Sequence, residues 1–367
     1  MKSYIVGGWV RDKLLGQDSF DKDWVVVGST AQTLIDKGFT QVGASFPVFL
    51  HPKSKEEYAL ARKELKVDKG YHGFSVEFSP DVSLKEDLLR RDLTINAMAY
   101  DEQNDEIIDP FNGIGDIKAK ILNNVSPAFV EDPLRVVRLA RFHAMLPDFS
   151  ISESLNKQVK TIIDSQELSS LAKERVVKEF EKAHGPRYKP HIFWQHCFNW
   201  NILKDVFGAG DVDSDAYHNF YCMYWTDELP DASQRLIRAL SFYDIVCHQI
   251  TGYSASFFLK QFSRKVLAEV AFLRDTFFLK DNWTTLSLLK FIQTHRLMHL
   301  SKERSFAFSL FKLPMSDDQI QLLVEQLANL DKSSCIDKSS ALPPNEQITL
   351  TLKDYIENGQ FAKFFPC

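Results

Sequence analysis

Apolar positions fall in strand-length runs at both ends of the first twenty-seven residues and in helix-spaced stripes over the last half of the chain. Tyr4 to Val6 and Trp24 to Val27 are β-branched and aromatic, while Val10 to Gly16 has helical spacing and stops at glycine. The pattern predicts strand, glycine turn, helix, strand. A short helix at Ala31 to Lys37 then alternates with strands at Phe39 to Val42, Val48 to Leu50 and Tyr58 to Ala61, as in a small mixed sheet. Lys63 to Asp81, with Gly70, Gly73 and Pro80 among charges, has no sustained period and reads as a mobile loop. From Phe193 onward, stripes such as Leu236, Ala239 and Leu240, then Phe258, Phe262, Leu267 and Val270, read as helical core. The fold class expected is α+β: a head over residues 1–125, a helical neck over 126–190, and a helical body and tail over 191–367.

Composition narrows this only a little. With 367 residues, 44% of them hydrophobic, the chain can bury a full core in two or three domains. No apolar run reaches membrane-spanning length and Arg11 interrupts the one signal-like stretch, so the expectation is a cytoplasmic protein with no membrane partner. The five cysteines lie at 197 and beyond without C-x-x-C pairing, and read as reduced, mostly buried thiols. A net charge of −5 means that any RNA contact must come from local basic patches.

The chemistry concentrates near the start. In an extended segment Asp21 and Asp23 point the same way, with Lys22 opposite. Two close carboxylates repel unless a cation lies between them, and oxygen-only ligands suit Mg²⁺. Gly7-Gly8 precedes a helix start, where backbone N–H groups attract phosphate. Either feature alone is weak; their spacing is what suggests pyrophosphate displacement from a nucleoside triphosphate. Glu57, entering the next strand, is the candidate to complete the carboxylate cluster, although a half-exposed strand glutamate explains it equally well.

Gly7-Gly8-Trp9-Val10-Arg11-Asp12 followed by Asp21-Lys22-Asp23 resembles the polymerase-β-type nucleotidyltransferases, within them the class II tRNA nucleotidyltransferase and bacterial poly(A) polymerase group. The resemblance implies a polymerase-β-like head in which Asp21 and Asp23 are catalytic and bind Mg²⁺, and Gly8 and Arg11 cradle the triphosphate. Arg90-Arg91-Asp92-Leu93-Thr94-Ile95-Asn96-Ala97, on a predicted helix, matches a further motif of that group. There Arg91 would contact phosphate, and Asp92 and Asn96 would select the ribose 2′-hydroxyl. The loop before this motif implies addition of a terminal A. Gly43-Ala44-Ser45-Phe46 departs from the basic segment of a poly(A) polymerase, which favours the tRNA enzyme.

Asp132-Pro133-Leu134-Arg135-Val136-Val137-Arg138-Leu139-Ala140-Arg141-Phe142 reads first as a capped amphipathic helix with Asp132 as N-cap and arginines on a wet face. The functional alternative is that Asp132 and Arg135 form a protein template for the incoming base. Cytosine and adenine both place an amino donor beside a ring-nitrogen acceptor, so a carboxylate and a guanidinium match them, while guanine and uracil present the reverse. A mismatch then costs roughly 1–3 kcal/mol per unsatisfied buried group. The resemblance adds Arg138 and Arg141 as contacts to triphosphate or ribose, and makes Glu174-Arg175-Val176-Val177-Lys178-Glu179 a motif that braces the template helix. In longer relatives the body carries a His-Asp metal site; Ser241-Phe242-Tyr243-Asp244 lacks the histidine, so no metal phosphatase is expected. The resemblance implies CCA addition to the tRNA acceptor arm from CTP and ATP, with no obligate protein partner. The alternatives are addition of A only, or poly(A) synthesis.

Overall fold

The computed structural model describes residues 1–208, apart from 20, 44–46 and 67–73, and beyond them separate stretches of which 256–279 is the longest. The chain divides into two compact units, Met1–Phe207 and Gly208–Cys367. In the first unit the predicted opening is present: β1 (Lys2–Val6), α1 (Gly8–Leu14), β2 (Asp23–Val27) and α2 (Ala31–Asp36). After these come β3 (Thr40–Val42), β4 (Val48–Leu50), β5 (Glu57–Leu60), β6 (Arg62–Lys66) and β7 (Phe74–Phe78). The head ends with α3 (Leu84–Leu89), β8 (Ala99–Asp101), β9 (Glu106–Ile108), α4 (Gly113–Ala119) and β10 (Ile121–Leu122).

Seven of these strands form one mixed sheet in the order β3-β4-β5-β2-β1-β8-β9, in which only β2 and β5 run parallel. Strand alternation sorts the side chains into two cores. Ile5, Trp24, Val26, Tyr58 and Leu60 pack on one face with Val10 of α1 and Leu34 of α2. Tyr4, Val6 and Val25 pack on the other with Leu88 of α3. Asp23 shares the second face, two residues before Val25.

The first unit continues with α5 (Leu134–Met145), a short β11 (Ser150–Ile151), α6 (Glu153–Asp164), α7 (Lys173–Ala183), α8 (Pro190–Asn199) and α9 (Leu203–Phe207), so 191–207 packs in the same unit as the residues before it. Val136, Val137 and Ala140 of α5, Val176 and Phe180 of α7, and Phe193, Trp194 and Cys197 of α8 are buried. His184 is locked among them, its ring accepting from Trp194 Nε1 at 3.2 Å, and burial pushes its pKa down to about 4. In the second unit the described helices are Ser256–Leu259 and Arg264–Leu279. No helix among the described residues is long and apolar enough to cross a membrane.

Three expectations need correction. Lys63 to Asp81 is no irregular loop: β6 and β7 pair as an antiparallel ribbon from Arg62↔Phe78 to Lys66↔Phe74, with its tip outside the described residues. Arg-Lys-Glu-Leu-Lys carries no period-2 apolar pattern, so backbone pairing builds a strand that side-chain patterning does not reveal. The Arg90–Ala97 motif is not helical. Arg90 closes α3, and Thr94–Asn96 is a single 3₁₀ turn held by a Leu93↔Asn124 bridge. Finally, the arginines of α5 do not make a wet face: Arg135 and Arg141 are buried and Arg138 is half-buried. Of the cysteines, Cys197 is a buried free thiol; the other four lie outside the described residues.

Candidate active site

The register of the first two strands sets the site. Val6 pairs with Asp23, so the chain reverses at Gly7 directly beside the carboxylate. Gly7 adopts φ 75°, and a Cβ there would stand 3.1 Å from Arg91 Nη1. Glycine therefore meets both the backbone requirement and the close approach of a guanidinium. Asp21 and Asp23 both line the cleft that opens here, whereas Lys22 turns away to bond Glu102 at 3.1 Å and sits over the Trp9 and Trp24 rings.

The cleft is about 680 Å³ and collects every predicted site residue except Glu57: Gly8, Arg11, Asp21, Asp23, Arg91, Asp92, Asn96, Asp132, Arg135, Arg138 and Arg141. Glu57 stands level with Asp23 on the neighbouring strand, exposed, and adds its negative field without lining the cleft. Among the described residues no group of three or more His, Cys, Asp or Glu is placed to hold a metal, so Glu57 does not complete a three-ligand cluster. As the register partner of Asp23 on the adjacent internal strand, it shares that face of the sheet.

Behind the aspartates runs a continuous ionic chain. Arg11 donates to Asp12 at 2.7 and 2.9 Å and to Asn96 Oδ1 at 2.6 Å. Asn96 in turn donates to Asp92 at 3.3 Å. Asp92 also takes the Leu93 N–H at 2.8 Å and a two-pronged contact from Arg138 at 2.7 and 2.8 Å. Arg138 reaches on to Glu179 at 3.1 Å, Glu179 accepts from Arg141, and Arg141 donates to the Tyr188 hydroxyl at 3.1 Å. Burial alone would raise the pKa of Asp92, but Arg138 and Arg135 outweigh it and hold the carboxyl well below the usual range. Glu179 is held down in the same way by Arg141 and Arg138 against its burial. Arg138 of α5 thus fixes the Asp92 carboxylate through charge-assisted hydrogen bonds.

Asp132 and Arg135 both line the cleft, each held by its own contacts. Asp132 sits just before α5 and caps it by accepting the Leu134 N–H at 3.1 Å. Its carboxylate is gripped by Arg175 of α7 at 2.7 and 3.3 Å. Arg135 donates to the backbone carbonyls of Ala128 at 2.8 Å and Arg90 at 2.5 Å. Both residues are therefore set in place by groups outside α5.

The residues that sequence reasoning missed are mostly cations of the cleft wall: Arg62, Arg90, Arg175, Lys182 and Arg187, with Tyr188. Arg175 lay in a motif read only as a brace. Arg187 bonds Asp12 at 3.0 Å across 175 positions, a contact with no local signal.

Asp21 and Asp23 differ from all the other acids of the cleft. Neither makes an ion pair among the described residues, and burial together with the charge of Asp21 raises the pKa of Asp23, with Arg91 opposing. Arg91 also keeps a buried Nε–H without a hydrogen-bond partner beside the Gly7 turn. Two crowded unneutralised carboxylates facing an unspent guanidinium donor fit a divalent cation together with a phosphate.

Comparison with known proteins agrees with this geometry. Residues 3–123 match the family described as poly A polymerase head domain. The chain is 52% identical over 209 residues to the multifunctional CCA protein of Hahella chejuensis, covering 56% of this chain and 49% of that protein. It is 52% identical over 209 residues to the CCA-adding enzyme of Francisella tularensis subsp. novicida, covering 56% of each. The chain thus spans about half the length of the curated relatives it matches. In fold it is similar to the Bacillus stearothermophilus CCA-adding enzyme in complex with CTP, with a TM-score of 0.64 at 21% identity over 99% of this chain and 92% of that one. The Thermotoga maritima CCA-adding enzyme complexed with tRNA gives a TM-score of 0.58 at 19% identity over 98% of this chain and 88% of that one. Residues 3–123 thus match a poly A polymerase head domain, and over 209 residues the chain is similar to CCA-adding enzymes.

Proposed function

We propose that this chain adds C, C and A to the 3′ end of tRNA from CTP and ATP in the cytoplasm, choosing nucleotides without a nucleic-acid template. The observation that carries the proposal is the Asp21–Asp23 couple, without an ion pair among the described residues, beside the Gly7 turn in a cleft whose other acids are bound by arginines. Asp21 and Asp23 would hold Mg²⁺, which when bound assists ionisation of the attacking hydroxyl and offsets charge on the leaving pyrophosphate. Gly8 leaves room for the triphosphate, and Arg11 and Arg91 orient it. Asp92, steadied by Arg138 and Asn96, accepts from the ribose 2′-hydroxyl. Asp132 keeps acceptor capacity on Oδ2, which takes one Arg175 contact, and can receive the amino group shared by cytosine and adenine while Arg135 serves the ring nitrogen. The 3′-hydroxyl of the RNA then attacks the α-phosphorus, the bond to the β-phosphate oxygen breaks, and pyrophosphate leaves. Phosphate and shape contacts with the acceptor arm would hold the tRNA.

The test is incubation of the pure protein with tRNA transcripts that lack the whole end, stop after CC, or are complete, each with CTP, ATP or both. Growth of the first transcript by three nucleotides, with none added to the complete one, is the expected result. Extension of the CC-ended transcript alone would mark an enzyme that adds only A, and a long adenylate tail would mark a poly(A) polymerase.

A further inference from the structure

One carboxylate that no substrate would touch is bonded to three cleft-lining residues at once. Asp87 of α3 is fully buried. Its Oδ1 accepts from Arg90 Nε at 3.1 Å, Arg90 Nη2 at 2.9 Å and the Arg62 backbone N–H at 3.3 Å, and its Oδ2 accepts from Arg91 Nη2 at 3.3 Å. Arg62, Arg90 and Arg91 all line the cleft. A buried charge is poor at adding stability by itself, since desolvation offsets most of what its partners return. Its effect here is directional. α3 is fixed at its start by the Ser83–Glu86 capping box and along its length by Leu88 in the core, so Asp87 is a rigid anchor.

Held from behind by one terminal nitrogen, Arg91 cannot swing out to solvent. Its Nε–H, buried without a partner, and its Nη1, next to the Gly7 turn, stay on the side of the carboxylate pair. Arg90, held by the same anchor, presents its backbone carbonyl to Arg135 at 2.5 Å. Asp87 therefore joins the phosphate-facing guanidinium to the base-facing one through a single buried side chain.

We propose that Asp87 is a positioning residue for nucleotide binding, presetting Arg91 toward the triphosphate; this deepens, and rests on, the nucleotidyl transfer proposed above. The experiment is steady-state CMP incorporation into a tRNA transcript lacking its 3′ end, for the wild type, Asp87→Asn, Arg91→Met and the double variant, with melting temperatures alongside. Asp87→Asn should raise KM for CTP about tenfold with kcat nearly unchanged, the scale of one charge-assisted contact. The double variant should show the KM of Arg91→Met alone, because the aspartate acts through that arginine. Should Asp87→Asn fail to fold, the same comparison of Arg91→Met with the double variant, which removes both partners, decides the matter. Multiplying KM effects, or a lowered melting temperature with KM unchanged in Asp87→Asn, would overturn the assignment and leave Asp87 purely structural. An unchanged KM in Arg91→Met would overturn it as well, by removing Arg91 from the triphosphate site. Failure of nucleotidyl transfer itself is distinguishable, since the wild-type chain would then incorporate no CMP.

Discussion

The cleft holds two populations of acid. On the head side Asp21 and Asp23 stand open, side by side, with no ion pair among the described residues. Elsewhere in the cleft Asp92 and Asp132, with Glu179 behind them, are each bound by arginine, at distances down to 2.7 Å for Asp92 and Asp132. The same chemical group is placed in opposite electrostatic circumstances within one site. An acid already neutralised by a guanidinium orients its surroundings, whereas two acids left to repel each other are suited to bind a cation. The difference separates acids that would hold the nucleotide in place from acids that would act at the reacting phosphate.

That contrast can be broken by mutation. Replacing Asp21 or Asp23 by alanine should abolish incorporation, by on the order of a thousandfold or more, while tRNA binding survives and the melting temperature holds or rises because a repulsion is relieved. Near-wild-type turnover would remove the aspartates from the chemistry. Glu179→Ala should do the reverse to stability. It strands Arg138 and Arg141, two of its partners, and should destabilise the fold by about 3–5 kcal/mol in urea titration. A smaller sharpening comes from Arg135→Ala, which should erode discrimination against UTP and GTP by about tenfold with little change in tRNA affinity; unaltered selectivity would count against a template role.

The pH dependence should be smaller still. Burial works against the charge of Glu179, but Arg141 and Arg138 set its pKa below the ordinary 4.5. A carboxyl whose folded pKa is depressed contributes stability that is complete above the unfolded value and is lost as pH falls through the folded one. The stability gap between wild type and Glu179→Gln should therefore stay constant at neutral pH and narrow only below about 4.5. A gap that closes between pH 6 and about 8, well above the unperturbed carboxylate range, would contradict the ion-pair account.

Much of the head was legible because its signals are local. β-branched runs, the glycine pair and alternation across Asp21-Lys22-Asp23 each act over a few residues, and β1, α1 and β2 formed where they pointed. What stayed hidden depends on partners far away in sequence. An arginine face on α5 looks wet in a helical projection, and only the arrival of Glu179 and Asp92 from other elements explains its burial. Arg187, 175 positions from Asp12, could not have been placed by spacing. The β6–β7 ribbon was missed for a different reason, since its register is set by backbone hydrogen bonds rather than by apolar alternation. Asp87 gave no signal because the Glu86-Asp87 pair before two arginines reads as an ordinary solvated helix.

The claim on which the rest depends is that the open carboxylates grip a divalent ion where the triphosphate binds. Calorimetric titration of Mn²⁺ into the protein with CTP present, comparing the wild type with Asp23→Asn, tests it directly. The account expects an ion bound by the wild type and an affinity weaker by at least about tenfold in the variant. Equal affinity in the two proteins would contradict it.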